Sequence, residues 1–460
     1  MRSMTKVHGR ESELVAIAGD QRGEMPAMRV LFVTIPWRTH FQFCVPMAWA
    51  LRTAGHEVHV ASGPDLTDVI VQSGLTAVPV GSEEHFLEKA HQAQTEASEA
   101  TWGGIHHPID LGENREEMFP LSYLKSLCAT STEVAKAVND SMIDDLVAYC
   151  RWWKPDLVVW EWLSHAGAVA AAAVGAAHAR MPIGIEVEAR MRRHFLKLLA
   201  QQEPADREDP MAEWLGAWGE KHGFEFREEL VTGQFTIDQV PDSMRLKANV
   251  PQVSVRHVPY NGRAVAPDWI RPEPPAPRVL ATFGMSMWDM SSSQPVSSYQ
   301  MVSIEQLQDW LDSMADLEME LVMTLPGRIQ EKLKHVPQNT RLVDFVPLHL
   351  VIPSCAAVIH HGGLPAFCSS LAHGVPQLMV SRMAPDASVR GARLEEAQAG
   401  GWIPPERMTG KRIRNHLAKL VQDPSYRAGA ERLRQEVLAQ PSPNEVVPEL
   451  ERLTEELRSR

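Results

Sequence analysis

From Met28 onward the chain alternates short, continuous apolar runs with helix-spaced segments, and after a proline-dense stretch it does so again. Arg29-Val-Leu-Phe-Val-Thr34 reads as a buried strand, and Val45 to Leu51 as a helix that stops at Gly55. A strand at Val58–Ala61, a helix at Leu66–Val71 and a strand at Leu75–Val80 repeat the cycle. Apolar strands joined through helices on short loops pair in parallel, with helices covering both faces of the sheet. The stretch 84–150 breaks the rhythm: it is polar, then helical, and reads as an insertion. Strand Asp156–Trp160 resumes the pattern, and the Ala/Gly-rich segment Ala166–Ala177 reads as a helix packed closely on the sheet.

Pro267, Pro272, Pro274, Pro275 and Pro277 then form a stiff linker over 265–277. Immediately after it, Arg278-Val-Leu280 echoes Arg29-Val-Leu31, and strands Val279–Phe283, Leu317–Thr324, Leu342–Asp344 and Ala357–Ile359 alternate with helices. The chain is therefore read as α/β, two Rossmann-like domains facing across a cleft. Residues 28–264 form the first, 278–440 the second, and 441–460 a C-terminal helix. Residues 1–27 carry Glu11, Glu13 and Asp20 and only a six-residue apolar run, so they read as an unstructured extension or start-site artefact rather than a signal peptide. Ligands of such sheets bind beyond the carboxyl ends of the strands, which makes the cleft the expected site.

Charge and cysteine usage narrow the function. The 45 Lys+Arg against 58 Asp+Glu leave a net charge of −13, which argues against a general binder of nucleic acid or anionic membrane. Cys44, Cys128, Cys150, Cys355 and Cys368 are widely spaced with no CxxC pair, so a reduced cytoplasmic protein is expected. No apolar run reaches the ~20 residues that span a bilayer.

Neither first strand is followed by GxGxxG, and GxxxxGK, HExxH and GxSxG are absent. Dinucleotide oxidoreductases, P-loop enzymes, zincins and α/β-hydrolases lose their sequence support. The strongest positive motif is Val358-Ile-His-His-Gly-Gly363, a buried strand running into a helix that starts near Leu364. Glycines there let a phosphate approach the backbone, and the helix N-terminus offers free N–H groups and a positive dipole. A purely structural turn is the competing reading. His40 lies in the loop after the first strand, where an imidazole can take a proton from a hydroxyl near neutral pH. Glu161 ends the strand 156–160. If that strand neighbours the first, its carboxylate can orient His40, and otherwise it is a solvated strand-end residue.

These residues sit within segments that carry a resemblance. THFQFCVPMAWALRTAGHEVHVAS, PDLVVWE, FTIDQVPDS, RLVDFVPLHLVIPSC and VIHHGG…HGVPQ together resemble the GT-B glycosyltransferases that attach deoxysugars to polyketides in actinomycete antibiotic pathways. The macrolide subgroup transferring aminodeoxysugars (desosaminyl-, mycaminosyl- and forosaminyl-type enzymes) is the nearest in pattern. The resemblance covers roughly residues 28 to 450. It implies an inverting transfer from a TDP-sugar to an aglycone hydroxyl, with no metal and no other cofactor. His40 would be the general base and Glu161 its partner, where many relatives carry Asp. Phe345 and Val346 would hold the nucleotide base, and His361, Gly362 and Gly363 the pyrophosphate. Ser286 would contact phosphate, and Asp386 the donor-sugar hydroxyls.

One departure stands out. Relatives usually continue HHGG as Ala-Gly-Thr, whereas this chain has Leu364-Pro365-Ala366. Pro365 removes a backbone donor and Ala366 a hydroxyl, although proline is at home in a first helical turn. Ser369, Ser370 or an arginine are the candidates to replace the lost contacts. The departure is the sole support for an alternative, a non-catalytic relative assisting another enzyme. A third reading, a GT-B sugar-nucleotide epimerase, fits poorly with the Trp/Met-rich stretch at 100–160. The expected partners are a TDP-deoxysugar and a large apolar polyketide acceptor. The identities of sugar and aglycone, a second copy and a helper protein stay open.

Overall fold

The computed structural model describes residues 27–82, 118–284, 302–380, 386–404 and 407–458. Two parallel sheets carry the fold. The first has strands β1 (Arg29–Val33), β2 (Glu57–Ser62), β3 (Thr76–Pro79), β4 (Leu157–Glu161), β5 (Ala177–Met181), β6 (Phe235–Asp238) and β7 (Gln252–Ser254), in the order β3-β2-β1-β4-β5-β6-β7. The second has β8 (Arg278–Thr282), β9 (Glu320–Thr324), β10 (Thr340–Val343), β11 (Cys355–His360), β12 (Gln377–Val380) and β13 (Gly400–Ile403), in the order β10-β9-β8-β11-β12-β13. Both sheets thus reverse direction after their first strand, between β1 and β4 and between β8 and β11. Ligands of such sheets bind at that reversal.

The apolar runs form strands because both faces are covered. Val30, Leu31, Phe32 and Val33 of β1 are all buried, their side chains alternating between two hydrophobic clusters on opposite faces of the sheet. Helix α1 (Arg38–Thr53) covers one face with Phe41, Val45, Ala48 and Leu51. Helix α2 is Thr67–Gln72, and α3 (Leu121–Trp153) is a single 33-residue helix where the sequence indicates an insertion. Helix α4 (His165–Val174) approaches closely enough that a Cβ on Gly167 would lie 2.7 Å from the Trp160 Cβ. Residues 84–117 of the insertion, like residues 1–26, lie outside the described residues.

The carboxyl ends of the two sheets meet. Ile185, just beyond β5, donates its backbone N–H to Asp386 Oδ2, just beyond β12, at 2.7 Å. The expected C-terminal helix is Val447–Leu457, and this segment returns to the first domain: His56 Nε2 lies 3.0 Å from Glu451 Oε1, and Arg458 Nη1 donates to Asp156 Oδ1 at 2.9 Å.

Candidate active site

His40 occupies the first turn of α1, and its position follows from the end of β1. Trp37 precedes the helix, accepts the His40 backbone N–H at 3.1 Å, and stacks on the imidazole with centroids 4.9 Å apart and planes 1° from parallel. Parallel pairing of β1 with β4 sets Val33 opposite Trp160, so Glu161 emerges beside the β1 loop. The His40 Nδ1 and Glu161 Oε2 are 3.1 Å apart. The Glu161 side chain therefore reaches the imidazole directly.

Glu161 is fully buried and fully partnered. Oε1 accepts from the Ser164 hydroxyl at 2.7 Å and the Ile35 N–H at 3.4 Å, and Oε2 accepts from the Leu163 N–H at 3.1 Å. Burial pushes its carboxyl upward, but His40 together with Ser164 and Leu163 outweighs that and holds it below the usual range. An ionised acceptor at Nδ1 keeps the proton on that nitrogen, which leaves the Nε2 lone pair to receive one. His40 is 9% exposed, so its ring is largely shielded from bulk water. A cavity beside this loop is lined by Pro36, Gly63, Val80, Ser141 and Met142, which brings α3 to the edge of the site.

The second cluster lies at the reversal point of the other sheet. His360 is buried at the end of β11, with Nε2 2.8 Å from Gln377 Oε1 and Nδ1 accepting the Gly362 N–H at 3.1 Å. Burial pushes it down to about 3. Its role is to brace the turn, and the neutral ring serves both hydrogen bonds. His361 is partly exposed and lies flat against the end of β8: a Cβ on Gly284, whose φ is +72°, would meet its Cε1 at 2.5 Å. Burial pushes His361 down to about 4, against the favourable backbone of Thr282, and Arg390 adds to the push. Helix α5 (Leu364–His373) follows with Gly363 at its N-cap and Pro365 inside its first turn, so the Leu364 and Ala366 N–H groups remain as donors there.

The remaining expected residues fall as follows. Phe345 is 39% exposed and Val346 buried, on the segment after β10. Asp386 is buried, with Oδ2 accepting the Ile185 N–H across the domain junction and Oδ1 accepting from Arg390 Nη2 of its own domain at 2.7 Å, so both oxygens are occupied. Ser286 lies outside the described residues. Trp37, Ser164 and Arg390 were missed in the sequence. Ser164 and Arg390 had a signal in their spacing, three residues after Glu161 and four after Asp386. Among the described residues no group of three or more His, Cys, Asp and Glu could hold a metal ion, all five cysteines are free, and no helix is long and apolar enough to cross a membrane.

The same two-domain arrangement occurs in the solved structure of the glycosyltransferase VinC in complex with dTDP, at a TM-score of 0.80 and 39% identity, covering 93% of this chain and 100% of that one. The fold is GT-B, and the protein is a glycosyltransferase. Two family models match, the erythromycin biosynthesis protein CIII-like N-terminal domain over residues 49–284 and its C-terminal domain over 308–453. The chain belongs to this family. Among its relatives are the 10-deoxymethynolide desosaminyltransferase of Streptomyces venezuelae, 42% identical over 94% of this chain and 98% of the relative, and the tylactone mycaminosyltransferase of Streptomyces fradiae, 43% identical over 93% of each.

Proposed function

We propose that the enzyme moves a deoxysugar, of the aminodeoxyhexose class, from a TDP-sugar to a hydroxyl of a macrolide or related polyketide aglycone, with inversion and without a metal. The observation that carries this reading is the His40–Glu161 pair at the reversal point of one sheet, set across the domain junction from the His361 turn at the reversal point of the other. His40 Nε2 takes the proton of the acceptor hydroxyl as its oxygen attacks the anomeric carbon. The bond from that carbon to the diphosphate oxygen breaks, and its electron pair leaves with TDP. Attack from the face opposite the leaving group inverts the centre. Glu161 stabilises the imidazolium that forms, a contribution of the kind worth ~10²–10⁴ in rate for general-base catalysis.

The developing charge on TDP is met by the His361 turn and the N-terminus of α5 rather than by a metal ion. The named relatives, a desosaminyl- and a mycaminosyltransferase, support the sugar and acceptor classes. VinC, complexed with dTDP, supports the nucleotide. The free cysteines favour a reducing, cytoplasmic setting. Thermal shift with TDP against UDP, followed by turnover of TDP-deoxysugars with macrolide aglycones in the presence of a chelator, tests the reading. Stabilisation by TDP and chelator-insensitive transfer are expected. Preference for UDP, or transfer abolished by the chelator, contradicts it. Turnover by the purified chain alone, against turnover only after a second protein is added, decides the question of a helper.

A further inference from the structure

Pro365 and Ala366 leave the first turn of α5 with one N–H fewer and no hydroxyl to offer an anion. A cation lies beneath that turn. Arg390, in helix α6 (Ala387–Glu396), is 1% exposed, and its guanidinium carbon is 5.0 Å from the ring centroid of Phe367. Phe367 belongs to the first turn of α5, its N–H closing on the Gly363 carbonyl at 3.1 Å. The same guanidinium is near enough to oppose protonation of both His360 and His361. Only Nη2 is used, on Asp386 Oδ1 at 2.7 Å, and Nε and Nη1 are buried with no partner among the described residues. Idle guanidinium donors in a buried place are costly, because desolvation is not repaid by hydrogen bonds. Asp386 engages a single donor of the guanidinium, since its second oxygen is committed to the Ile185 N–H.

We propose that Arg390 is a diphosphate-binding residue, whose Nε and Nη1 take up oxygens of the donor's diphosphate at the N-terminus of α5. The inference rests on reading the second domain as the nucleotide-diphosphate-sugar site. The planar fork of an arginine suits two phosphate oxygens at once, which a hydroxyl or a single N–H cannot match. It supplies the charge that the Leu364-Pro365-Ala366 segment lacks. Its fixed cation also stabilises the electron pair that stays on the diphosphate oxygen when the bond to the sugar breaks.

The test is a calorimetric titration of TDP and of thymidine into the wild type, Arg390→Lys, Arg390→Gln and the double variant Asp386→Asn/Arg390→Gln. The double variant removes both charges of the buried pair, so it keeps the experiment informative if Arg390→Gln alone fails to fold. A phosphate-binding arginine predicts TDP binding ~10- to 100-fold weaker in the Gln variants and an intermediate loss in the Lys variant. Thymidine binding is expected to stay constant, so the preference for TDP over thymidine shrinks. A merely structural residue would weaken both ligands alike. Unchanged preference in every folded variant, while the wild type prefers TDP, overturns the role of Arg390. No preference for TDP in the wild type overturns the site reading instead.

Discussion

His40 Nδ1 and Glu161 Oε2, 121 positions apart in the chain, are held at 3.1 Å by the parallel pairing of β1 with β4. Three further donors fix the carboxylate: the Ser164 hydroxyl and the N–H groups of Ile35 and Leu163. The imidazole is thereby oriented on one side by charge and on its face by Trp37. The pair combines a rigid acceptor of Nδ1–H with an Nε2 that has no hydrogen-bond partner among the described residues.

Glu161→Gln tests that orientation. The amide keeps the volume but loses the charge that stabilises imidazolium. The turnover number should fall by ~10²–10⁴, the span expected when base catalysis is disabled, with TDP affinity unchanged by calorimetry. A variant with near-normal turnover would remove Glu161 from the mechanism.

His361→Ala probes the other domain. Loss of a hydrogen bond to a charged oxygen should weaken TDP binding by ~1–3 kcal/mol and leave aglycone binding alone. Unchanged TDP affinity would mean that the diphosphate is held elsewhere, and the anion-site reading of this turn would go.

Restoring the family's segment with Pro365→Gly and Ala366→Thr adds an N–H and a hydroxyl at the start of α5. TDP affinity should rise or stay level. The melting temperature should drop, because Gly replaces a Pro suited to the first turn and loosens the unfolded chain. Weaker TDP binding in a folded variant would show that Pro365 itself shapes the site.

Acid should destabilise the fold through its buried histidines. Burial pushes His165 and His178 down to about 4 and His257 and His360 down to about 3. The unfolded chain takes up protons on these rings near pH 6.5 and the folded chain does not. The folded state is therefore favoured fully above pH 6.5 and progressively less as pH falls toward 4 and 3. Each ring contributes a slope of about 1.4 kcal/mol per pH unit in that window. Denaturant midpoints measured between pH 7.5 and 5 should decrease steadily on acidification. A flat profile would show that these rings protonate without unfolding.

Much of the fold was legible because β1, β4, β8 and β11 are runs of buried apolar residues with helices between them. Strand β5 was not, since its polar His178 and Arg180 are buried. His178 receives the Trp160 indole N–H at 3.3 Å, and Arg180 is paired with Glu186. Polar residues satisfied by distant partners do not read as a strand in sequence. Strands β6 and β12, four residues each, likewise fall outside the runs read as strands: each carries a polar residue, Asp238 or Gln377, that is buried in the fold. In the site, the place of His40 followed from its position after the first strand, and that of His361 from the His-His-Gly-Gly run between a strand and a helix. The Glu161 contact needed the order of β1 and β4. The engagement of Asp386 by Ile185 needed the meeting of two domains through residues 201 positions apart, which no local pattern encodes.

The proposed chemistry divides labour between the domains, with the base on one and the nucleotide on the other. Paired measurements on His40→Ala test it most directly: turnover with a TDP-sugar and aglycone, and calorimetry with TDP. Turnover should fall by ~10²–10⁴ while TDP affinity stays at the wild-type value. Loss of TDP affinity, or turnover close to wild type, would contradict the assignment of His40 as the base.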